Sequence, residues 1–324
     1  MKFAPLGSSG LIVSRICLGC MSYGSSGWRP WVLDEAAAAP FYRRALELGI
    51  NFFDTADMYS MGVSEEVTGR ALREMANMDE IVLATKVNFP MGDAPNMAGL
   101  SRKHIVQACE ASLKRLGVDT IDLYQIHRFS ASVPIDETLA ALDHLVHQGK
   151  VRYIGASSGY SWQMAKALSA SERNGWARFI SMQNHYNLVY REEEREMIPL
   201  CLEEGIGVIP WSPLARGRLA RTAPSPSEGT TRADNDQFAA DLYDTPSDLD
   251  VIAAVRNVAA QIEAQPAGVA LAWLLSKPGV VAPIIGATKL DHLETAVKAL
   301  EIELTDEQSE ALESPYAPHP VKGI

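Results

Sequence analysis

With 324 residues, 47% of them hydrophobic, the chain can bury one large core. Forty acidic against 29 basic residues leave a net charge of -11, which argues against duplex nucleic acid or an anionic membrane surface as a partner and favours solubility. The start MKFAPLGSSG has no apolar core of signal-peptide length, no stretch approaches the roughly 18 apolar residues of a membrane span, and four cysteines make no disulfide framework, so a soluble cytoplasmic protein is expected.

A hairpin is expected around Gly7 to Gly10, and from there strand-like runs and helical patterns alternate eight times. The strand candidates are Ile16 to Leu18, Asn51 to Phe53, Ile81 to Thr85, Ile121 to Ile126, Val151 to Ala156, Phe179 to Gln183, Gly207 to Trp211 and Ala282 to Ile285. Ser101 caps a helix whose apolar face runs Ile105, Cys109, Leu113, Leu116, and Gly117 stops it. Asp136 and Glu137 open another with Leu139, Leu142, Leu145 and Val146 on one side and Gly149 as its stop. Further helices are expected at Ala36 to Leu48, Glu65 to Met75, Trp162 to Arg173, Glu192 to Glu203, Leu249 to Ala260 and Leu290 to Leu300. A capping box, Thr305 with Gln308, starts an extra C-terminal helix, and a proline-rich tail follows over 315–324. Eight β then α units over roughly 290 residues predict an α/β fold, a (β/α)8 TIM barrel forming one domain over 1–324, with a doubly wound sheet as the alternative. The polar stretch 221–248 is too long for an ordinary connection and reads as a mobile lid or an unstructured insertion.

The carboxyl ends of these strands carry Gly19 and Cys20, Asp54, Lys86, His127, Ser157 and Ser158, Gln183, Trp211 with Ser212, and Gly286. In a parallel barrel those ends share one face, so groups that are singly unremarkable form a common rim. An ammonium at about 4 Å from a tyrosine hydroxyl offers roughly 4 kcal/mol at an effective dielectric near 20. If Asp54 takes up part of that field, Lys86 is expected to lower the Tyr59 pKa by about one or two pH units and make it a general acid for a carbonyl oxygen, which His127 would polarise. The chain has no GxSxG elbow and no GxGxxG, so a redox reaction here needs a bound cofactor. It also has no His-x-His at a strand end, the CxxC of Cys17 and Cys20 lacks an answering pair, and His144-x-x-His147 reads as a solvated helix face, so no metal is expected.

The order FFDTADMY, TK, IH, GASS, MQNHYNL, IPWSPLARGRL and PIIGATK, from Pro5 to Lys289, resembles the aldo-keto reductases, and PLGSSGLIVSRICLGCMSYG resembles their bacterial aryl-alcohol-dehydrogenase-like branch. The resemblance implies a barrel that binds NADPH in extended form and reduces aldehydes or ketones to alcohols, a small-molecule carbonyl being the partner. It makes Tyr59 the proton donor, Asp54 and Lys86 the pair that tunes it, and His127 the orienting residue. Ser157, Ser158 and Gln183 would meet the nicotinamide amide and Trp211 its ring, with Asp54, Gly19, Cys20 and Met21 nearby. Ser212, Pro213, Leu214, Gly217 and Arg218 fall in the pyrophosphate loop, and Gly286, Thr288 and Lys289 in the segment meeting the adenosine 2'-phosphate.

Four departures from the family pattern stand out. Ser158 replaces an asparagine, so that one amide hydrogen bond is shortened or lost, and Trp211 a tyrosine, which preserves stacking; Lys289 replaces an arginine and Thr295 with Ala296 a Glu-Asn pair, which leave NADH as a weaker second cofactor. Trp28, Trp31, Phe89, Phe129, Tyr160 and the Pro315 to Pro320 tail lie on loops after strands or at the C-terminus, where this fold builds its substrate pocket, and suit an aromatic or apolar carbonyl, with surface packing the alternative for each. Arg128, directly after His127, suits an anionic substrate, the plain alternative being a rim salt bridge. An NADPH-binding regulatory subunit with little turnover is the competing function.

Overall fold

The computed structural model describes residues 1–221, 236, 239, 242–243 and 245–323. Strands β1 (Phe3–Pro5) and β2 (Ile12–Ser14) pair antiparallel as the expected hairpin. Its turn lies against the amino-terminal end of the strands. Gly7 sits at φ 62, where a Cβ would fall 2.5 Å from the Gly205 carbonyl oxygen, and Leu6 and Val13 plug the interior core.

Eight parallel strands follow: β3 (Cys17–Gly19), β4 (Phe52–Asp54), β5 (Val82–Val87), β6 (Ile121–Ile126), β7 (Val151–Ser157), β8 (Phe179–Gln183), β9 (Gly207–Val208) and β10 (Ile284–Ile285). Their spatial order is β10-β3-β4-β5-β6-β7-β8-β9, without the reversal of a doubly wound sheet. Backbone bonds from Val281 N to Val208 O (2.8 Å) and Ile284 N to Pro210 O (2.9 Å) join the two edges into the (β/α)8 barrel. The last two strands are shorter than expected, because Pro210 and Pro283 have no N–H for a ladder.

Around the barrel run α1 (Glu35–Glu47), α2 (Val63–Met75), α3 (Arg102–Leu116), α4 (Ile135–His147), α5 (Ser161–Asn174), α6 (Met197–Glu203), α7 (Pro246–Gln261), α8 (Pro266–Ser276), α9 (Leu290–Lys298) and α10 (Asp306–Glu313). The expected caps operate: the Ser101 side chain accepts from His104 N, and Gly117 leaves α3 at φ 68. Among the helices the structure departs from expectation at two places, and a third expectation falls largely outside the described residues. The expected helix at Glu192 to Glu203 divides into a 3-10 turn at Glu192–Glu194 and α6. Most of 221–248 lies outside the described residues, and its far end already belongs to α7, where Thr245 N donates to Asp248 (2.9 Å). The unexpected α8 (PAGVALAWLLS) is buried on nearly every side and therefore has no amphipathic stripe to announce it.

Strand pleating sorts side chains between two cores. Cys17, Phe52, Val82, Ala84, Leu123 and Ile209 fill the barrel interior, whereas Leu18, Phe53, Leu83, Tyr124, Ile154 and Met182 pack outward beneath the helices. No single described helix is long and apolar enough to cross a membrane; α7 and α8 pass such a test only as a pair bent by 102°.

Candidate active site

The interior alternation continues upward into chemistry. Phe52 is followed two residues on by Asp54, Val82 and Ala84 by Lys86, Leu123 by Gln125 and His127, and Ser181 by Gln183. Parallel register sets Gly19 beside Asp54, Lys86 beside Gln125, and Ser157 beside Gln183. Period-two pleating thus places every one of these groups above the interior core, at the carboxyl end of the barrel.

At the centre, Lys86 Nζ donates to Asp54 Oδ2 (2.5 Å), the Thr55 carbonyl (2.8 Å) and Tyr59 Oη (3.3 Å). Asp54 Oδ1 accepts from Gln125 Nε2 (2.9 Å) and Gln183 Nε2 (3.0 Å). Gln125 was not a sequence candidate, although the Leu123, Gln125, His127 alternation points to it. Gly155 makes room for it, since a Cβ there would lie 3.1 Å from Gln125 Cγ and 2.4 Å from Ser181 Oγ.

Burial opposes the Lys86 charge, but Asp54 and Tyr59 more than offset it and its pKa is raised. The Tyr59 pKa is also raised, not lowered as expected: burial acts first, Lys86 pulls down, and Asp54 takes part of that back. Tyr59 therefore keeps its phenolic proton at neutral pH, which is the form that a proton donor needs. His127 is held well below its ordinary value by burial, Lys86 and Arg128, so it is a neutral imidazole. Its ring meets Tyr59 edge-on at 5.7 Å and Phe89 at 4.8 Å.

A cavity of about 1090 Å³ opens over this centre. Of the sequence-expected groups, Gly19, Met21, Asp54, Tyr59, His127, Ser157, Gln183, Trp211, Ser212, Pro213, Leu214, Gly217, Gly286 and Thr288 line it, as do Trp28, Phe89 and Arg128. Lys86 is buried behind the wall. Cys20 is likewise fully buried, its thiol pushed up to about 12 by burial. Ser158 lies off the wall, accepting from Trp211 Nε1 (2.9 Å). Arg218 lies 5.3 Å over the Tyr243 ring, and Lys289 is exposed at the start of α9. Trp31 is buried, Phe129 packs on Phe179, Tyr160 is exposed before α5, and none of the three lines the cavity.

The wall also holds Arg29, Arg216, Gln265, His292 and Lys298, none of them a sequence candidate. Arg216 lies inside the WSPLARGRL motif, which could have pointed to it; Gln265 is invisible without α8, and no motif marks Arg29, His292 or Lys298. Asp57, left without a role by the sequence, is fully buried with both carboxylate oxygens unpartnered, and burial with Glu65 nearby pushes its pKa up to about 8. Among the described residues, no group of three or more His, Cys, Asp and Glu is placed to hold a metal.

The cavity fits an extended dinucleotide. Its volume suits a large ligand, and Trp211 offers an indole face fixed by Ser158 and by the His185 ring stacked 4.3 Å behind it. Ser212, Ala215, Arg216 and Gly217 have φ values of 50, 47, 55 and 96°, a run of left-handed residues of the kind that turns backbone N–H groups toward an anion. Nothing lies within 4 Å of a Cβ at Gly217, so the backbone is open to close approach there.

The family model described as "Aldo/keto reductase family" matches residues 15–317. The chain is 44% identical to versiconal hemiacetal acetate reductase of Aspergillus parasiticus, over 98% of each chain. It is 42% identical to a putative aryl-alcohol dehydrogenase of Schizosaccharomyces pombe, over 99% of this chain and 97% of the other, and 38% identical to one of Saccharomyces cerevisiae, over 98% of each. This chain belongs to the aldo/keto reductase family. It is accordingly an oxidoreductase of a class whose members typically work with a nicotinamide cofactor and whose general chemistry is carbonyl reduction.

Proposed function

We propose that the chain reduces an aldehyde or ketone to the alcohol with NADPH, Tyr59 giving the proton. The observation that carries this reading is the buried Asp54–Lys86–Tyr59 chain facing a neutral His127 across one cavity. A bound nicotinamide supplies the hydride. The protein's own part is to hold the carbonyl oxygen between Tyr59 Oη and the His127 ring and to deliver the phenolic proton. Lys86 stabilises the phenolate left behind, and Asp54 with Gln125 keeps the ammonium in place.

Trp211 would take the nicotinamide face, the Ser212–Gly217 loop with Arg216 the pyrophosphate, and Gly286, Thr288 and Lys298 the adenosine end. Lysines at 289 and 298 near that end favour NADPH, with NADH as the weaker alternative. The names of the two yeast relatives support an aryl-alcohol-dehydrogenase-like branch; all three relatives are fungal, so they lend nothing to its bacterial part. A cytoplasmic site of action and one domain over 1–324 belong to the same proposal.

NADPH oxidation with 4-nitrobenzaldehyde tests it. Wild-type protein should turn over, and Tyr59→Phe should lose about 10²- to 10⁴-fold in kcat while still binding cofactor. Wild-type turnover no faster than that of Tyr59→Phe rejects the reading. Tight NADPH binding without turnover on any carbonyl supports the regulatory subunit instead.

A further inference from the structure

Arg128 follows His127 at the end of β6, and the sequence leaves it either as a rim salt bridge or as an anion contact. Among the described residues its guanidinium makes no ion pair. It is anchored by one hydrogen bond, Nη1 to the His127 carbonyl (2.6 Å), and lies between two rings, 5.8 Å from the Phe89 centroid and 5.9 Å from that of Trp211. A guanidinium has five N–H donors, so most of its capacity is unused, and the group lines the same cavity as Tyr59 and His127. It stays charged despite burial, and its field reaches the Tyr59 hydroxyl. A half-buried cation with no carboxylate costs stability unless a partner arrives. On the same wall a second guanidinium, Arg29, sits 4.6 Å over Trp28, whose ring is 6.3 Å from Tyr59. The carbonyl position is thus bounded by aromatic faces with cations beside them, and the carboxylate beneath it, Asp54, is already paired with Lys86.

We propose that Arg128 makes the site selective for aromatic carbonyl compounds that carry a carboxylate, which its planar fork binds while Phe89 lies beside the substrate's ring. This names the substrate class of the reductase reading above and rests on it. The fork geometry suits two parallel N–H···O bonds to a carboxylate, and the flanking rings restrict the guanidinium to a narrow set of planes.

The test compares kcat/KM with NADPH for 4-carboxybenzaldehyde and for its neutral methyl ester, methyl 4-formylbenzoate, in the full-length wild type, Arg128→Met and Arg128→Lys. The expected wild-type preference for the carboxylate is about 10- to 100-fold, expressed mainly in KM. In Arg128→Met, whose unbranched stem keeps much of the packing, the preference ratio should fall to about one; Arg128→Lys should keep part of it through its point charge. Calorimetric titration of benzoate into the NADPH-loaded protein reads the anion site without turnover, and binding should weaken at least about 10-fold in Arg128→Met. No wild-type preference, or an Arg128→Met that slows both aldehydes equally and binds benzoate as wild type does, overturns the proposal. Loss of NADPH binding in Arg128→Met, with the ratio kept, also overturns it by assigning Arg128 to the cofactor. If 4-nitrobenzaldehyde itself is not reduced, it is the reductase reading that fails, and benzoate binding alone then decides whether the anion subsite stands.

Discussion

Lys86 keeps its charge at full burial because three oxygens meet its ammonium, and the Asp54 oxygen that Lys86 leaves accepts from Gln125 and Gln183. Removing either partner of such a pair strands a buried ion, whereas removing Gln125 strands only part of one. Gln125→Leu is therefore expected to cost about 1–3 kcal/mol in urea unfolding and to lower kcat, because Asp54 then holds Lys86 less firmly. Unchanged stability and kcat together would show that Gln125 is a spectator. Two departures from the family pattern turn out to be one contact. Ser158, standing for an asparagine, accepts from the indole of Trp211, standing for a tyrosine. Ser158→Ala should loosen the Trp211 ring and raise the cofactor dissociation constant several-fold, read by quenching of tryptophan fluorescence. Residue identities were readable from the sequence here, but partners 53 positions apart were not.

The carboxyl-end rim is also held by elements far from the reacting groups. His185 is sandwiched between Tyr190 at 4.1 Å and Trp211 at 4.3 Å, and its Nε2 lies 2.6 Å from Tyr243 Oη. The C-terminal tail closes over this stack. Lys322 N donates to Tyr190 Oη (2.9 Å), Gly323 approaches Trp211 so closely that a Cβ would lie 3.0 Å from its ring, and His319 Nε2 sits 3.0 Å from Asp248 Oδ1 at the start of α7. His185→Ala should open a hole behind Trp211, costing about 3–5 kcal/mol by analogy with other buried ring truncations, and should weaken NADPH binding measurably. Loss of stability with cofactor affinity intact would confine His185 to packing. The tail could be read from sequence as neither strand nor helix, but nothing in its prolines shows where it lies, since docking depends on surfaces contributed by β8, α7 and the loop after β9. The opposite failure is α8, where an element buried on nearly all sides lacks the two-faced pattern by which helices are recognised.

At the scale of the whole molecule, buried titratable groups set a stability profile in pH. Asp57, pushed up to about 8 by burial and Glu65, and Glu193, pushed up to about 7 by burial and Glu192, stay protonated in the fold after the unfolded chain has lost those protons. The folded state then binds more protons, so stability falls as pH rises from the usual carboxylate range to about 8. His185, lowered to about 3 by burial and Arg216, and His127, held well below its ordinary value, have the opposite sign, since below about pH 6.5 the unfolded chain takes protons that the fold refuses. The two effects oppose each other between about pH 4.5 and 6.5, and above that the acids act alone. The thermal midpoint should therefore drop between pH 6.5 and 8, and Asp57→Asn should flatten that drop; a variant whose drop is as steep as wild type refutes the assignment. The chain by itself determined the repeating β and α units, the barrel and the Asp54, Tyr59, Lys86, His127 set, because pleat period, caps and strand-end chemistry are local patterns written in neighbouring residues. Only the tertiary structure decided that burial outweighs Lys86 at Tyr59, that Gln125 supports Asp54, and that Arg128 makes no salt bridge among the described residues. Each of these depends on which side chains from distant strands share a low-dielectric space, and that is a property of the closed barrel and not of any one segment.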